Sequence, residues 1–379
     1  MSDKNAIGIV ESTASYEVWL ARFASLNQSD LDAKHEAMAH DAFRFLRGTF
    51  YRWAQLFAVV CGDIAAAPEV LAVGDLHAEN FGTWRDAEGR LAWGVNDFDE
   101  AFRLPYTNDL VRLATSVFLA NESEHLSVDP KMICAAILDG YMQRLKTGGQ
   151  PIVIDENHRW FVPILERQLK ASDPAIFWNH LRQSLASNKA RIPAAATAAL
   201  KNRLPEGCDN VTIKPRRAGV GSLGKPRFVA TADWVGAPIA REIKVVTPSA
   251  CVWAHASAAS SKKKSGKSQI PELIELLTRQ GLRCSDPFYH VDDQWISRRL
   301  AADSRKIELN ASPHAPDEIR MLEAMGKETA NVHLGSAKAI PAIRKDLAKR
   351  GETWLYKAAA AMCDATKEEQ KAWARGRAK

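Results

Sequence analysis

The stretch Gly74-Asp75-Leu76-His77-Ala78-Glu79-Asn80 decides how this chain is read. It follows the apolar run Val70–Val73 and leads into Phe81-Gly82-Thr83-Trp84, a turn at Asp86-Ala87-Glu88-Gly89, and Leu91-Ala92-Trp93-Gly94-Val95. Two apolar runs around a polar, Gly-containing turn predict a β-hairpin. The hairpin empties into Asn96-Asp97-Phe98-Asp99-Glu100. A carboxylate and an amide thus share one loop, and a second carboxylate follows a strand–turn–strand excursion.

Phosphoryl transfer from ATP needs groups of this kind: one carboxylate to orient an acceptor hydroxyl, and an amide oxygen with a second carboxylate to hold Mg²⁺. Mg²⁺ prefers hard oxygen ligands and keeps several waters, so Asn plus Asp is a sufficient protein contribution. In kinase-type folds the catalytic Asp and the Asn stand five apart, and the metal Asp follows a hairpin. Asp75 is therefore the candidate catalytic carboxylate, and Asn80 and Asp97 are the candidate metal ligands. Asp99 either holds a second Mg²⁺ or caps the next turn. Asp, Asn and Gly are also ordinary turn residues, so the weight rests on the combination.

Downstream, Gly219-Val220-Gly221-Ser222-Leu223-Gly224 forms a G-x-G-x-x-G. A dinucleotide-binding turn would require a helix at the last glycines. Lys225-Pro226-Arg227-Phe228-Val229-Ala230 instead reads as extended. Strand, Gly loop, strand is the arrangement whose backbone N–H groups cover ATP phosphates, so Gly219, Gly221, Ser222 and Gly224 are candidate phosphate-binding residues. Lys244, in the strand-like Arg241-Glu242-Ile243-Lys244-Val245-Val246, is the candidate phosphate lysine. These parts stand in reversed order along the chain. A circular permutation accounts for that order, because folds tolerate new termini at exposed sites.

Here the chain resembles the bacterial family of domain of unknown function 2252, placed in the protein-kinase-like superfamily. The resemblance is carried by Phe43-Arg44-Phe45-Leu46-Arg47-Gly48-Thr49, Gly74–Gly82, Asn96–Ala101, Asp109-Leu110-Val111-Arg112-Leu113-Ala114-Thr115-Ser116, and the glycine loop with Ile243-Lys244. The Gly-Asp-x-His-x-x-Asn wording is also similar to small-molecule kinases related to aminoglycoside and choline kinases. The resemblance implies a kinase-like fold and favours a small-molecule acceptor over a protein, without naming that acceptor. Val245-Val246 departs from relatives, which tend to have an acidic residue after the lysine. Glu272 and Glu275 are the candidate acidic partners of Lys244.

The chain has 379 residues, Lys+Arg 51 against Asp+Glu 45, a formal charge of +6 and 46% hydrophobic residues. A core stops growing near ~250–300 residues, so two lobes are expected. The expected class is α+β: a bilobal, circularly permuted kinase-like fold with a β-rich ATP lobe at 206–305 between two parts of a helical lobe, 1–205 and 306–379. One long helix is expected over 30–60, capped by Ser29 or Asp30, with further helices at about 107–121, 129–147, 156–171, 174–205, 271–280 and 317–335. No apolar segment reaches the ~18–20 residues of a membrane span, the N-terminus has no signal-peptide pattern, and the six cysteines form no C-x-x-C pair. A cytoplasmic protein without membrane or nucleic-acid partners is expected.

Lys262-Lys263-Lys264-Ser265-Gly266-Lys267-Ser268 lacks the first glycine of a P-loop, since residue 261 is Ser261, and reads as a basic loop. Arg47 suits a structural salt bridge or a phosphate contact. Asp109 and Arg112, one helical turn apart, suit ion-pairing that holds the fold to the catalytic region. His77 suits a hydrogen bond that steadies the loop, not a base. Trp53, Trp84, Trp93 and Trp160 suit packing, and Trp373–Lys379 reads as a frayed basic tail. The leading expectation is an ATP- and Mg²⁺-dependent phosphotransferase. The alternatives are AMP transfer by the same residues and a non-catalytic nucleotide-binding scaffold.

Overall fold

The computed structural model describes residues 7–124, 128–164, 174–186, 191–255, 269–304, 306 and 315–377. Among the described residues helices alternate with ten strands: β1 (Glu69–Ala72), β2 (Phe81–Arg85), β3 (Leu91–Val95), β4 (Phe102–Pro105), β5 (Ile152–Val153), β6 (Asp209–Pro215), β7 (Arg227–Trp234), β8 (Ala237–Val245), β9 (His290–Val291) and β10 (Trp295–Leu300). All pairings are antiparallel, in a ribbon β1-β4, a sheet β2-β3-β5 and a five-stranded sheet β6-β7-β8-β10-β9. The α+β class stands.

Residues 30–60 are not one helix. Helices Gln28–His40, Ala42–Gly48 and Phe50–Cys61 follow one another. The break has a local cause: Asp41 is extended and its side chain accepts the Arg44 N–H, capping a new helix. The first of the three is capped by Asn27, whose side chain accepts the Asp30 N–H, not by Ser29 or Asp30. Likewise 174–205 is two helices, Pro174–Ala186 and Ala194–Lys201, the second starting just after Pro193. Only part of the helix expected over 156–171 lies within the described residues, and the basic run at 262–268 lies outside them.

The five-stranded sheet obeys the two-residue period of a strand. On one face Phe228, Ala230, Ile243 and Trp295 pack on Ala196 and Leu200 of the helix Ala194–Lys201. On the opposite face Val229 and Ala240 pack on Leu181 and Leu185 of the helix Pro174–Ala186. That second face is apolar only at this end. Toward the other end it carries Glu242 and Lys244, in register with Arg298 and Ile296 of β10. Ile296 and Val246 belong to the main core, which also takes in Ala250, Cys251 and Trp253 of the short helix after β8.

In the main core the helices Pro130–Thr147 and Ala315–Leu334 cross closely. An added Cβ on Gly140 would overlap the Glu323 carbonyl oxygen, and one on Gly326 the Ile137 carbonyl oxygen. The final helix, Trp354–Arg377, corrects the expectation of a frayed tail. Trp373 is buried and donates Nε1–H to the His35 carbonyl at 3.1 Å, and Glu369 pairs with buried Arg52 at 2.8 Å. The four tryptophans pack as expected; Trp53, Trp84 and Trp93 are buried, and Trp160 is half-buried against Phe161. Among the described residues no helix is long and apolar enough to cross a membrane.

The β7–β8 hairpin closes through Val235 and Gly236, with φ of 49° and 79°. Both residues are left-handed, as a two-residue primed turn requires, and a β-branched side chain resists that conformation. Val235 is 84% exposed, so no packing compensates. Val235→Asn is expected to raise unfolding stability by about 1 kcal/mol, read as a higher urea midpoint at unchanged slope.

Candidate active site

The Gly74–Asn80 loop leaves the end of β1 and is held by one face of the helix Tyr106–Glu124. Asp109, Arg112 and Ser116 are spaced three and four residues apart, so they line up along that face. Asp109 accepts the N–H groups of Val73 and Gly74 at 2.8 and 3.0 Å. Its carboxylate also meets His333 Nε2 at 3.1 Å, and His333 Nδ1 meets the Tyr141 hydroxyl at 2.8 Å. Arg112 donates Nε–H to Asp75 at 2.8 Å, adds a second contact through Nη2, and reaches the Leu46 carbonyl at 2.9 Å. The rings of Phe50 and Trp53 flank its guanidinium. Ser116 Oγ accepts the Ala78 N–H at 2.9 Å. Asp109 and Arg112 therefore hold the Gly74–Asn80 loop through separate contacts.

The hairpin sets the distance between the candidate metal ligands. Phe81 pairs with Val95, and the Asn96 N–H closes on the Asn80 carbonyl at 2.9 Å. Asp97 therefore starts beside Asn80. The Asn80 side-chain NH₂ donates to the Asp75 carbonyl, which fixes the amide with its nitrogen toward the loop. His77 is buried, accepts the Glu79 N–H at Nδ1, and is held well below the usual imidazole range, mainly by burial. It is a neutral strut, as expected. Arg47 pairs with Glu79 at 2.7 Å, the structural salt bridge, and also lines the crevice.

Lys244 arrives from β8, on the other side of that crevice. Its Nζ lies 2.8 Å from Asp97 and 2.6 Å from Asp99. Burial pushes Asp97 upward, but the Lys244 ammonium outweighs it and holds this partly exposed carboxylate below the ordinary range. Asp99 is raised, by burial first and by its neighbour Asp97 second. Glu272 and Glu275 are not brought to Lys244. Both are exposed on the helix Gln269–Gln280, and Glu275 pairs with Arg279 at 2.7 Å.

The glycine loop closes the crevice. Gly219, Gly221, Ser222 and Lys225 line it with Asp75, Asn80, Asp97 and Asp99 around a cavity of about 50 Å³. A Cβ on Gly221 would stand 2.8 Å from the Arg47 carbonyl oxygen and 3.8 Å from Asp75 Oδ2. Gly224 does not face the crevice; it lies against Leu31, and its carbonyl accepts the Asn27 N–H at 2.9 Å. The structure therefore gathers Asp75, Asn80, Asp97, Asp99, Gly219, Gly221 and Ser222 around one crevice, with Lys244 joined to it through the two aspartates, and leaves out Gly224, Glu272 and Glu275.

Glu100 and Lys225 line the crevice too and escaped the sequence, as did Lys306. Glu100 is buried, accepts the Ala250 N–H at 2.6 Å and lies 3.9 Å from Lys225. Their adjacency to Asp99 and Gly224 was the signal available. Burial pushes Glu100 up to about 7.

The donor set suits a hard cation. Asp97, Asp99 and the Asn80 amide offer oxygen, and the Lys244 ammonium already sits between the two carboxylates in the place of a positive charge. Among the described residues no three His, Cys, Asp or Glu side chains could hold a metal together. A divalent ion here would thus share its shell with phosphate and water.

Residues 27–172 match the model of a family described as "Uncharacterized protein conserved in bacteria (DUF2252)". Over that stretch the chain is similar to that family. The matched stretch holds Asp75, Asn80, Asp97, Asp99 and the Asp109–Ser116 face, while Lys244 and the glycine loop lie beyond it. No curated protein and no solved structure matches the chain.

Glu100 titrates higher in the folded than in the unfolded chain. Its stability contribution is therefore present below about pH 4 and is lost as pH rises through about 7. Glu100→Gln is expected to gain on wild type by about 1–3 kcal/mol between pH 5 and pH 8, measured as the difference in urea unfolding free energies.

Proposed function

We propose that the chain is an ATP- and Mg²⁺-dependent phosphotransferase acting on a hydroxyl of a small molecule, on a bilobal, circularly permuted kinase-like fold. The observation that carries this reading is the reach of Lys244, from the third strand of the five-stranded sheet, to Asp97 and Asp99 beside Asp75 and Asn80. The glycine loop joins the first two strands of that sheet, and the lysine stands on the third, as in kinase ATP lobes. The helix Ala315–Leu334 meets the loop through His333 and Asp109, as a preceding helix would, although it follows by more than two hundred residues.

In this reading Asp75 orients the acceptor hydroxyl and takes its proton as the phosphoryl group leaves ATP. Burial raises Asp75 and Arg112 opposes the rise, so the carboxylate stays aimed by its partner. Asn80 and Asp97 would hold Mg²⁺, with Asp99 a second contact. Bound there, the ion would neutralise phosphate charge. Lys244 turns from the carboxylates to the phosphates, and the N–H groups of Gly219–Ser222 cover them.

AMP transfer would use the same side chains with the nucleotide reversed. The scaffold alternative has one observation in its favour: Lys244 is occupied by the metal-binding carboxylates and not by a helix glutamate.

Thermal unfolding with ATP, with and without Mg²⁺, tests nucleotide binding. A Mg²⁺-dependent stabilisation of about 2.7 kcal/mol at a hundred times Kd is expected for wild type and lost in Lys244→Ala and Asp97→Ala. ATP labelled at the α or γ position then separates the reactions. Product label from γ-ATP supports phosphotransfer, and label from α-ATP alone replaces it with AMP transfer. Asp75→Asn is expected to lower turnover at least a hundredfold while keeping the ATP shift.

A further inference from the structure

A second cavity, of about 520 Å³, lies between β10, the β2–β3 hairpin and the segment that follows the helix Gln269–Gln280. That volume is in the range that holds a small molecule. Among the described residues its wall carries Arg203, Arg216, Arg279, Arg283, Arg298 and Arg299, with Lys306 at the edge it shares with the crevice, against Glu275 and Asp286. Acidic groups compensate these charges only in part: Arg283 meets buried Glu328 at 3.4 Å and Arg279 pairs with Glu275 at 2.7 Å, but Arg216, Arg298 and Arg299 share their carboxylates with other arginines. Glu242, buried on the sheet face, is shared by Arg216, Arg227 and Arg298, one carboxylate for three guanidinium groups. Asp303 is shared by Arg85 and Arg299, at 2.7 and 3.3 Å. The carboxylate facing Arg203 is Asp292, 3.8 Å away.

Uncompensated guanidinium charge on a concave, partly desolvated wall is costly, and a neutral ligand would deepen that cost. An anion would relieve it. Trp84 Nε1 and Tyr289 Oη, both on residues lining the cavity, are buried without a hydrogen-bond partner among the described residues. Guanidinium forks match phosphoryl oxygens in pairs, and a phosphate monoester carries up to two charges, like the excess around Glu242.

We infer that this cavity binds a phosphorylated small molecule through its phosphoryl group. The inference rests on the charge of the cavity wall and does not require phosphotransfer in the crevice. It adds a recognition site for a ligand that is already phosphorylated.

Calorimetry and thermal unfolding of the full chain test it, with inorganic phosphate, pyrophosphate and glucose 6-phosphate as probes and glucose as the neutral twin. Saturable binding of at least one phosphate probe at millimolar concentration or below is expected, and none with glucose. The double variant Arg203→Ala/Arg299→Ala is expected to weaken binding at least tenfold. Arg203→Lys/Arg299→Lys, which keeps the charge, retains the fold if the alanine pair does not, and should lose less affinity. Lys244→Ala separates the sites: it removes the Mg-ATP shift but keeps the phosphate-probe shift. The inference is overturned if no probe saturates, if glucose binds as well as its phosphate, or if a folded Arg203→Ala/Arg299→Ala variant binds the phosphate probes as tightly as wild type. Loss of phosphate binding in Lys244→Ala alone would assign the anion to the crevice and also overturn it.

Discussion

A carboxylate with no exposed surface, Asp109, holds the Gly74–Asn80 loop in place. It accepts the backbone N–H groups of Val73 and Gly74 where the chain leaves β1, and it faces His333 from a helix near the far end of the sequence. Two buried N–H groups left without acceptors would cost about 1–3 kcal/mol each. The loop therefore takes its shape from a helix that cannot move without exposing them. Arg112 and Ser116 extend the same contact along the loop. Three side chains on one rigid surface thus set where Asp75 and Asn80 stand.

Opposite them, the five-stranded sheet divides one of its faces by polarity. Val229 and Ala240 bind a helix at one end, whereas Glu242 and Lys244 carry charge at the other. The strand period forces these residues onto one side, so the charged end must find partners or water. Lys244 finds Asp97 and Asp99, and Glu242 finds three arginines. Attraction across the cleft and positive excess beside it come from the same strand pair, β8 and β10.

The sequence was most legible where short-range rules decide. The β2–β3 hairpin, strand β7 from Arg227 to Trp234 and the grouping of Asp75, Asn80 and Asp97 all follow from local patterns of turn and apolar residues. It was least legible where a cap or a distant contact competes with periodicity. The apolar spacing of Phe43, Leu46, Phe50, Trp53 and Phe57 runs on through Thr49, where the helix nevertheless breaks, and at Asp41 a single side-chain cap starts a new helix. The partner of Lys244 was sought among glutamates on a helix because the analogy supplied one. Burial and proximity instead gave it the two aspartates. Glu242 and its arginines were invisible because their bonds join β8 to residues 15 to 56 positions away.

The last helix has a consequence for how the molecule is made. Trp373 and Glu369 complete the packing of His35 and Arg52, and Arg52 lies a few residues from the helix that supports Asp75 through Leu46. Contacts that span the whole chain close last, because loop-closure entropy must be overcome before they form. During synthesis, at about 5–20 residues per second, the helices between residues 28 and 61 therefore emerge well before the helix Trp354–Arg377 that completes their packing. The apolar surfaces that this helix covers remain open to other contacts until it arrives.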